Sequence, residues 1–432
     1  MSLVSDVYLK LIFKDGQTLN VKADNYLKSY SALFEMDNSL QSIVGSISAN
    51  ELMFSLNNSS GIFTPSNVSS PYYGLLDDKI KVEVIKGVER KGVFYVADWN
   101  SPNTASNKST TVRAVDRLQS VLNTPVGVLG MDSGISVKDY LVKIFLEVGF
   151  TSGDLEIDPT LEQVLDYTVT RGNNLASVLN DISISADCYI YINENDKVIA
   201  RKKEFSGISK HTLSGSTNIT GVTVGNSLKT NANVCVVGFN STMLSDVKEV
   251  LAIKGYKVAK GLSSINNYEV SGGNLYEVDN VKIVTSYDIE AVGVTCSQNT
   301  ISLDVLNHHS EEVTCDITVY GKTVDLSSSY VERRDDELIA KNGRKEMKID
   351  GKLITTESQA KELVDILWER INLPVPNLFV NVVSNGFEYL LGDLLEVEAT
   401  SLNSYNQGYV HSVRYDWLGG DYVKANVGVR VL

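Results

Sequence analysis

Apolar and polar residues alternate with a period of two along much of this chain, the pattern of strands with one buried face. Tyr8 to Phe13 alternates, Lys14-Asp15-Gly16-Gln17 turns, and Leu19 to Ala23 resumes, which predicts a hairpin. Asn38 to Ile47 is apolar at intervals, and Glu51 to Leu56 alternates again. A polar stretch from Asn57 to Gly74, rich in Asn, Ser, Gly and Pro, predicts a loop. Beyond it, Lys79 to Lys86 keeps a near-perfect period of two until Gly87. Gly92 to Trp99 and Thr110 to Asp116 follow, the latter leading into Arg117 to Leu122. Roughly the first 120 residues therefore predict an antiparallel barrel or sandwich.

The period then lengthens. Ser136 is placed to cap a helix in which Val137, Tyr140, Leu141, Ile144, Phe145 and Val148 share one face, with Gly149 closing it. Asn174 to Asp187 predicts a second helix with Leu175, Val178, Leu179, Ile182 and Ala186 as its apolar stripe. It leads into a hairpin, Cys188 to Ile192 and Lys197 to Arg201, turning at Asn193 to Asp196, so this segment reads as a small α+β unit. From Phe205 to about Val324 the pattern is strand and turn, clearest at Gly221 to Gly225 and Asn233 to Gly238. Lys257 to Tyr287, rich in Gly, Ser and Asn, is expected to form hairpin loops. Thr356 and Gln359 fit a capping box for a last helix carrying Ala360, Leu363, Val364 and Leu367, which Pro374 and Pro376 bar from continuing. Leu378 to Leu432 is strand-rich. The resulting division is 1–125, an N-terminal barrel; 126–205, a helix–hairpin insertion; 206–345, a second barrel with a loop-rich insertion; and 346–432, a helix with strands completing a barrel.

Composition narrows the function classes. A hydrophobic fraction of 43% and a charged fraction of 21% are those of folded protein. The formal net charge of −14 is opposite to what sequence-independent binding of phosphates needs, so specific nucleic-acid binding is not expected. Neither a leader-like start nor an apolar run of about 18 residues occurs, so membrane insertion is not expected. Cys188, Cys235, Cys296 and Cys315 lie far apart in apolar or strand-like surroundings and are expected to pack as small hydrophobes. That usage suits a reducing cytoplasm.

Motifs with possible chemistry do not build a site. Tyr320-Gly321-Lys322-Thr323 resembles the end of a phosphate loop, but Asp316 stands where that loop needs its first Gly; a turn between strands is the expectation. His308-His309, with His211 and His411 elsewhere, has no metal-ligand spacing, and neighbours in a strand point to opposite faces. Glu311-Glu312 and Asp335-Asp336-Glu337 could pair as acid and base for glycoside cleavage, yet beside Arg333, Arg334 and Lys341 they read as solvated surface. Trp99, Trp368 and Trp417 are too isolated for a sugar platform and are expected to pack in the barrels and on the last helix. No catalytic, cofactor-binding or metal-binding residue is assigned, and no enzyme activity is expected.

The order of four blocks resembles the central hub family of phage tails and baseplates, which includes the N-terminal parts of tail-associated proteins of non-contractile tails. The blocks are the Asn57–Gly74 loop with its flanking strands; Thr111 to Leu118 followed by the Val137–Val148 helix; Asn174 to Asp187 running into the Tyr189–Arg201 hairpin; and the Thr356–Trp368 helix followed by Gly392 to Val397 and Tyr409 to Tyr415. About Lys257 to Thr300 has no counterpart in the resemblance. The resemblance implies a mainly β fold, two tail-tube-like barrel domains with smaller helix–hairpin insertions. It implies a homotrimer joining the hexameric tail tube to a trimeric spike or tip, assembled in a bacterial cytoplasm, residing in the virion tail tip and lining the conduit for DNA. Tail tube, baseplate or distal tail, spike or tip and tape measure proteins would be its partners. Part of the negative charge either lines that channel, where it would repel DNA, or is spread over the outer surface. A tail-associated or receptor-binding protein and a cell-wall hydrolase are the alternatives; the end of the chain directly after barrel-like strands is expected to argue against a C-terminal extension.

Overall fold

The computed structural model describes residues 6–37, 45–102, 108–126, 131–168, 174–203, 205, 207–214, 219–225, 232–271, 273–372, 377–384, 386–399, 404–419 and 422–431. Strands hold 54% of the chain and helices 14%, so the fold is mainly β with a few helices, as the alternation predicts.

Its largest element is a 13-stranded sheet that curls as a half-barrel. Val7–Ile12 and Thr18–Val21 form the predicted hairpin, and Glu51–Asn57, Lys81–Lys86, Glu89–Asn100 and Ser109–Val115 follow. These strands do not close on themselves. Leu27–Glu35 pairs antiparallel with Ser404–Trp417, near the other end of the chain, so strands from both chain ends share one sheet. Val423–Val431, Asn377–Ser384 and Ile219–Gly225 extend it in that order. Alternate residues of both halves, among them Leu9, Leu52, Phe94, Val380, Val413 and Val427, fill a single core.

The Asn57–Gly74 loop caps this core. Phe63, fully buried, stacks on Tyr72 at a centroid distance of 5.9 Å and meets the edge of Tyr26 at 5.1 Å. Its backbone is held by its own polar side chains: Asn58 accepts from Phe63 N and donates to Thr64 and Thr110, while Asn67 donates to Gly61 O. The loop's Asn and Ser residues thus replace a ladder, and its one large buried ring fixes it to the core.

A second body holds the predicted helices. Val137–Glu147 is capped by Ser136, and Leu175–Ser185 by Asn174. Gly149 takes the left-handed conformation (φ 93°) that ends the first helix. Both pack on the Cys188–Ile192 and Val198–Lys202 hairpin through Leu141, Ile144, Leu179, Ile182 and Ile190. A short helix at Arg117–Val121, capped by Asp116, was not foreseen in the strand pattern.

The third body corrects an expectation. The stretch from Lys257 to Tyr287 is largely strand, Gly261–Glu269 and Asn274–Val284, and not hairpin loops. Its Asn, Ser and Gly residues sit at exposed or half-buried positions of strands whose partners supply the ladder, Thr300–Asn307 for Gly261–Glu269 and one long strand for Asn274–Val284. That long strand is Val313–Arg334, which pairs with Lys248–Val258 and Asn274–Val284 at one end and with Val234–Leu244 at the other. The Gly261–Glu269, Thr300–Asn307 and Ile289–Cys296 strands form a separate three-stranded sheet over a small core of Val250, Ile265, Leu303, Val305 and Ile317. The last helix, Glu357–Asn372, has the predicted box, Thr356 and Gln359 each accepting from the other's backbone N–H, and packs Leu363, Val364 and Leu367 on Cys235 and Val237. Pro374 and Pro376, residues 38–44 of the predicted Asn38–Ile47 segment, and the first five residues lie outside the described residues.

Truncating the plug should show the loop's contribution. Phe63→Ala is expected to lower unfolding free energy by about 3–5 kcal/mol, whereas Val68→Ala, at an exposed position of the same loop, should leave it unchanged; denaturant titration of both variants checks this.

Candidate functional site

The period of two that buries one face of the large sheet sets a polar face opposite. Cross-strand registers put Asp98, Arg113, Met53, Ser31, Asp416, Lys424 and Val383 in one row across six strand boundaries. The next row is Val115, Glu51, Leu33, Arg414, Asn426, Asn381 and Gly221. Ser29, Ser55, Thr111, Asn100 and Ser412 fill the flanking positions. The face is therefore continuous between strands from both ends of the chain, and it mixes hydroxyls and amides with charges and four apolar side chains, Leu33, Met53, Val115 and Val383. Its charges are four acids, Glu35, Glu51, Asp98 and Asp416, against three bases, Arg113, Arg414 and Lys424. Glu51 is bonded by Arg113, and Asn426 donates to Asn381 at 2.7 Å. Burial raises Glu35 above the ordinary carboxylate range. A groove of ≈ 710 Å³ opens on this face, lined by Leu33, Asn381, Ser412, Arg414, Lys424 and Asn426 among others. Towards the other end the hairpin tip covers it, Tyr95 donating to Asp196 at 2.8 Å.

Two buried polar junctions hold this face and the other bodies in register. In the first, Asn50 Oδ1 accepts from Glu35 N at 3.1 Å, Nδ2 donates to Ile192 O at 2.8 Å, and its backbone N donates to Asp116 Oδ2 at 2.6 Å. Asp116 also caps its helix by accepting from Gln119 N at 3.0 Å. Burial pushes this carboxyl up to about 7, against the pull of the backbone N–H donors.

The second junction gathers side chains from seven places along the chain. Arg430 Nη2 lies 3.0 Å from Asp37 Oδ2, while Nε donates to Asn377 Oδ1 at 3.3 Å and Nη1 to Tyr189 at 3.5 Å. The Tyr189 and Tyr409 hydroxyls are 2.9 Å apart, and Tyr409 stacks on Phe205 at 3.8 Å. Arg370 of the last helix donates through both arms to Asp187, at 2.7 and 2.5 Å. Lys203 lies over the Tyr189 ring at 5.1 Å; burial, then Arg430, holds its ammonium well below the ordinary lysine range. His411 is buried in the same place, and burial with the neighbouring Arg430 and Lys203 charges brings it down to about 3. A Cβ at Gly428 would lie 2.8 Å from His411 Nε2, so glycine there makes room for the ring.

The groups weighed in the sequence fall elsewhere. Gly321 is not in a turn: it sits in the middle of Val313–Arg334, where a Cβ would come within 2.4 Å of Glu277 O, and Lys322 pairs with Glu277 at 2.6 Å. His308 and His309 lie just past a strand and diverge, His308 to Glu290 at 3.1 Å and His309 to the Tyr287 ring at 4.7 Å. Glu312 pairs with Lys257 at 3.3 Å, Asp336 with Arg334 at 3.0 Å, and Asp335 caps the Asp336–Asn342 helix. Trp99 and Trp417 pack at the main core and Trp368 on the last helix, as expected. Cys188, Cys235 and Cys315 are buried, but Cys296 is exposed because its strand is at a sheet edge. Among the described residues, no three His, Cys, Asp or Glu side chains gather as a metal set. The polar face was present in the sequence as alternation (Ser29, Ser31, Leu33, Glu35), but nothing local indicated that distant strands continue it.

No family model and no curated protein matches the chain. Solved structures do. A tail protein from Neisseria meningitidis MC58 matches over 98% of this chain and 96% of its own, with a TM-score of 0.60 at 8% identity. The 43 kDa tail protein of prophage MuSo2 from Shewanella oneidensis matches over 98% of both chains, with a TM-score of 0.56 at 9% identity. The likeness is one of fold, and it takes in all three bodies of the chain.

The buried imidazole gives a signed pH dependence. His411 is neutral when folded and charges near its ordinary value of 6.5 when unfolded, so its contribution to stability is present above that pH and lost as pH falls towards 3. Relative to His411→Gln, the parent should lose up to about 2 kcal/mol between pH 6.5 and pH 5; urea titrations of both proteins at the two pH values measure it.

Proposed function

We propose that this chain is a structural, non-enzymatic component of a phage or phage-like tail, a baseplate hub whose large sheet turns its polar face to the conduit. The observation that carries the reading is that face: it runs unbroken from Glu89–Asn100 to Ile219–Gly225, joins both chain ends, and lacks net charge of either sign beyond one unit. The shared fold of the two tail proteins supports it.

In this reading the protein is a homotrimer. Two sheet halves per chain give six wall segments around an axis, which matches a hexameric tail tube above and a trimeric spike or tip below. The partners are then the tube, distal tail, spike and tape measure proteins, and the location is the tail tip. A wall on which Ser, Thr and Asn are interspersed with nearly balanced charges and a few apolar side chains offers DNA no cluster of Lys and Arg to displace its counterions. Passage without adhesion follows from neutrality, and the chain's excess acid is carried elsewhere, with eleven Asp or Glu against five Lys in residues 246–316.

Light scattering and electron microscopy of the purified chain, followed by a map of the assembled tail tip, test this. A trimeric ring with an axial hole lined by Ser31, Arg414 and Asn426 is the expected outcome; a tail map placing this face on the outside of the particle would overturn it. A charge test is sharper. Replacing Ser29, Ser31 and Ser55 with Lys should create salt-sensitive DNA binding in a gel shift, where the parent shows none, and should slow DNA ejection from particles carrying the variant.

A further inference from the structure

The third body exposes features that the conduit reading leaves unused. Half of the twenty exposed large apolar side chains among the described residues fall between Met243 and Tyr330. Several of them lie on the three-stranded sheet, whose two outer strands are differently protected. Gly261–Glu269 is guarded: it is rich in Ser and Asn, its register breaks between Ile265 and Tyr268, and Asn267 is in the left-handed conformation (φ 58°). Ile289–Cys296 also breaks register, between Ala291 and Gly293, but it has no left-handed residue and no Ser or Asn. It reads Ile-Glu-Ala-Val-Gly-Val-Thr-Cys, with Glu290 its single charge and no Pro or Lys, and among the described strands it pairs only with Thr300–Asn307. Val292 is 50% and Val294 40% exposed. An open edge of this composition is a template for another strand unless something covers it.

We propose that Ile289–Cys296 is a docking edge that accepts an extended, basic segment of another protein as an added strand, with apolar residues at alternate positions and Lys or Arg between them. Charge decides the occupant. Residues 246–316 carry −6 of the chain's −14, on five Lys and eleven Asp or Glu. Two copies of this body would repel each other at the distance of a strand pair, so a second copy of this chain is disfavoured, whereas a cationic strand is attracted before contact. Glu290 and Asp304 stand on or beside this edge, and Asp304 is drawn against the Gly293 backbone, where a Cβ would lie 3.0 Å from its Oδ2. Exposed Val292 and Val294 would meet the incoming apolar residues, and ladder bonds would supply the remaining affinity.

The test uses the full chain with two capped heptapeptides, one alternating Val with Lys and the other Val with Glu. The expected result is that the Lys peptide binds about tenfold tighter or more at low salt, and slows amide hydrogen exchange within Ile289–Cys296. Val294→Pro, which removes one edge N–H, should abolish the protection; Glu290→Lys, a surface change that keeps the fold, should weaken the Lys peptide and favour the Glu peptide. Equal binding of the two peptides, or protection confined to other strands, would overturn the proposal. So would sedimentation showing that the chain self-associates through this edge, since the occupant would then be a second copy.

Discussion

A buried charge without a counter-charge costs several kcal/mol, and the arrangement of this molecule follows from meeting that demand at one place. Arg430 and Arg370 enter the same interior with Asp37 and Asp187, and each guanidinium finds its carboxylate on a segment remote in sequence. Burial and Arg430 push Lys203 towards its neutral form, and His411 stays neutral in the fold. These side chains come from both chain ends, from the helix–hairpin body and from the last helix. The bodies must therefore sit as they do, because any other placement strands a charge. The tyrosine pair and the Phe205 stack close the space around it.

The polar face is the other side of the same arrangement. One edge of each sheet half meets the other at Leu27–Glu35 and Ser404–Trp417, and the junction beneath fixes their register. A slip of one residue would exchange Tyr30 and Phe34 with Ser31 and Glu35, moving rings to water and a carboxylate to the core. Hydrophilic surface and apolar core are thus specified together, and the near-balance of charge along the rows is a property of the joined sheet and belongs to neither half alone.

Local structure was largely legible in the chain. Ser136, Asn174 and the Thr356–Gln359 box mark helix starts, and strict alternation marks Lys81–Lys86, because caps and periods act within a few residues. What escaped was decided at a distance. Asp37 and Arg430 show no relation in sequence, nor do Asp187 and Arg370. Gly321 looked like a turn because Gly ordinarily marks one, yet its lack of a Cβ serves a close strand crossing at Glu277. The Asn, Ser and Gly residues of Gly261–Glu269 and Asn274–Val284 read as loop because their inner faces carry few buried apolar side chains, Ile265 and Leu275; the strands they pair with, Thr300–Asn307 and Val313–Arg334, complete the ladder.

Val313–Arg334 spans two separate cores without interruption. At one end it lies between Lys248–Val258 and Asn274–Val284; at the other it makes eleven residue pairings with Val234–Leu244. A load applied along that strand is shared by its ladder bonds at once, in shear, instead of opening them one after another from an end. The projecting body is therefore tied to the rest of the molecule as a tension member, stiff along its length, so that a pull on its far end reaches the last helix and the buried ion pairs undiminished by a yielding linker.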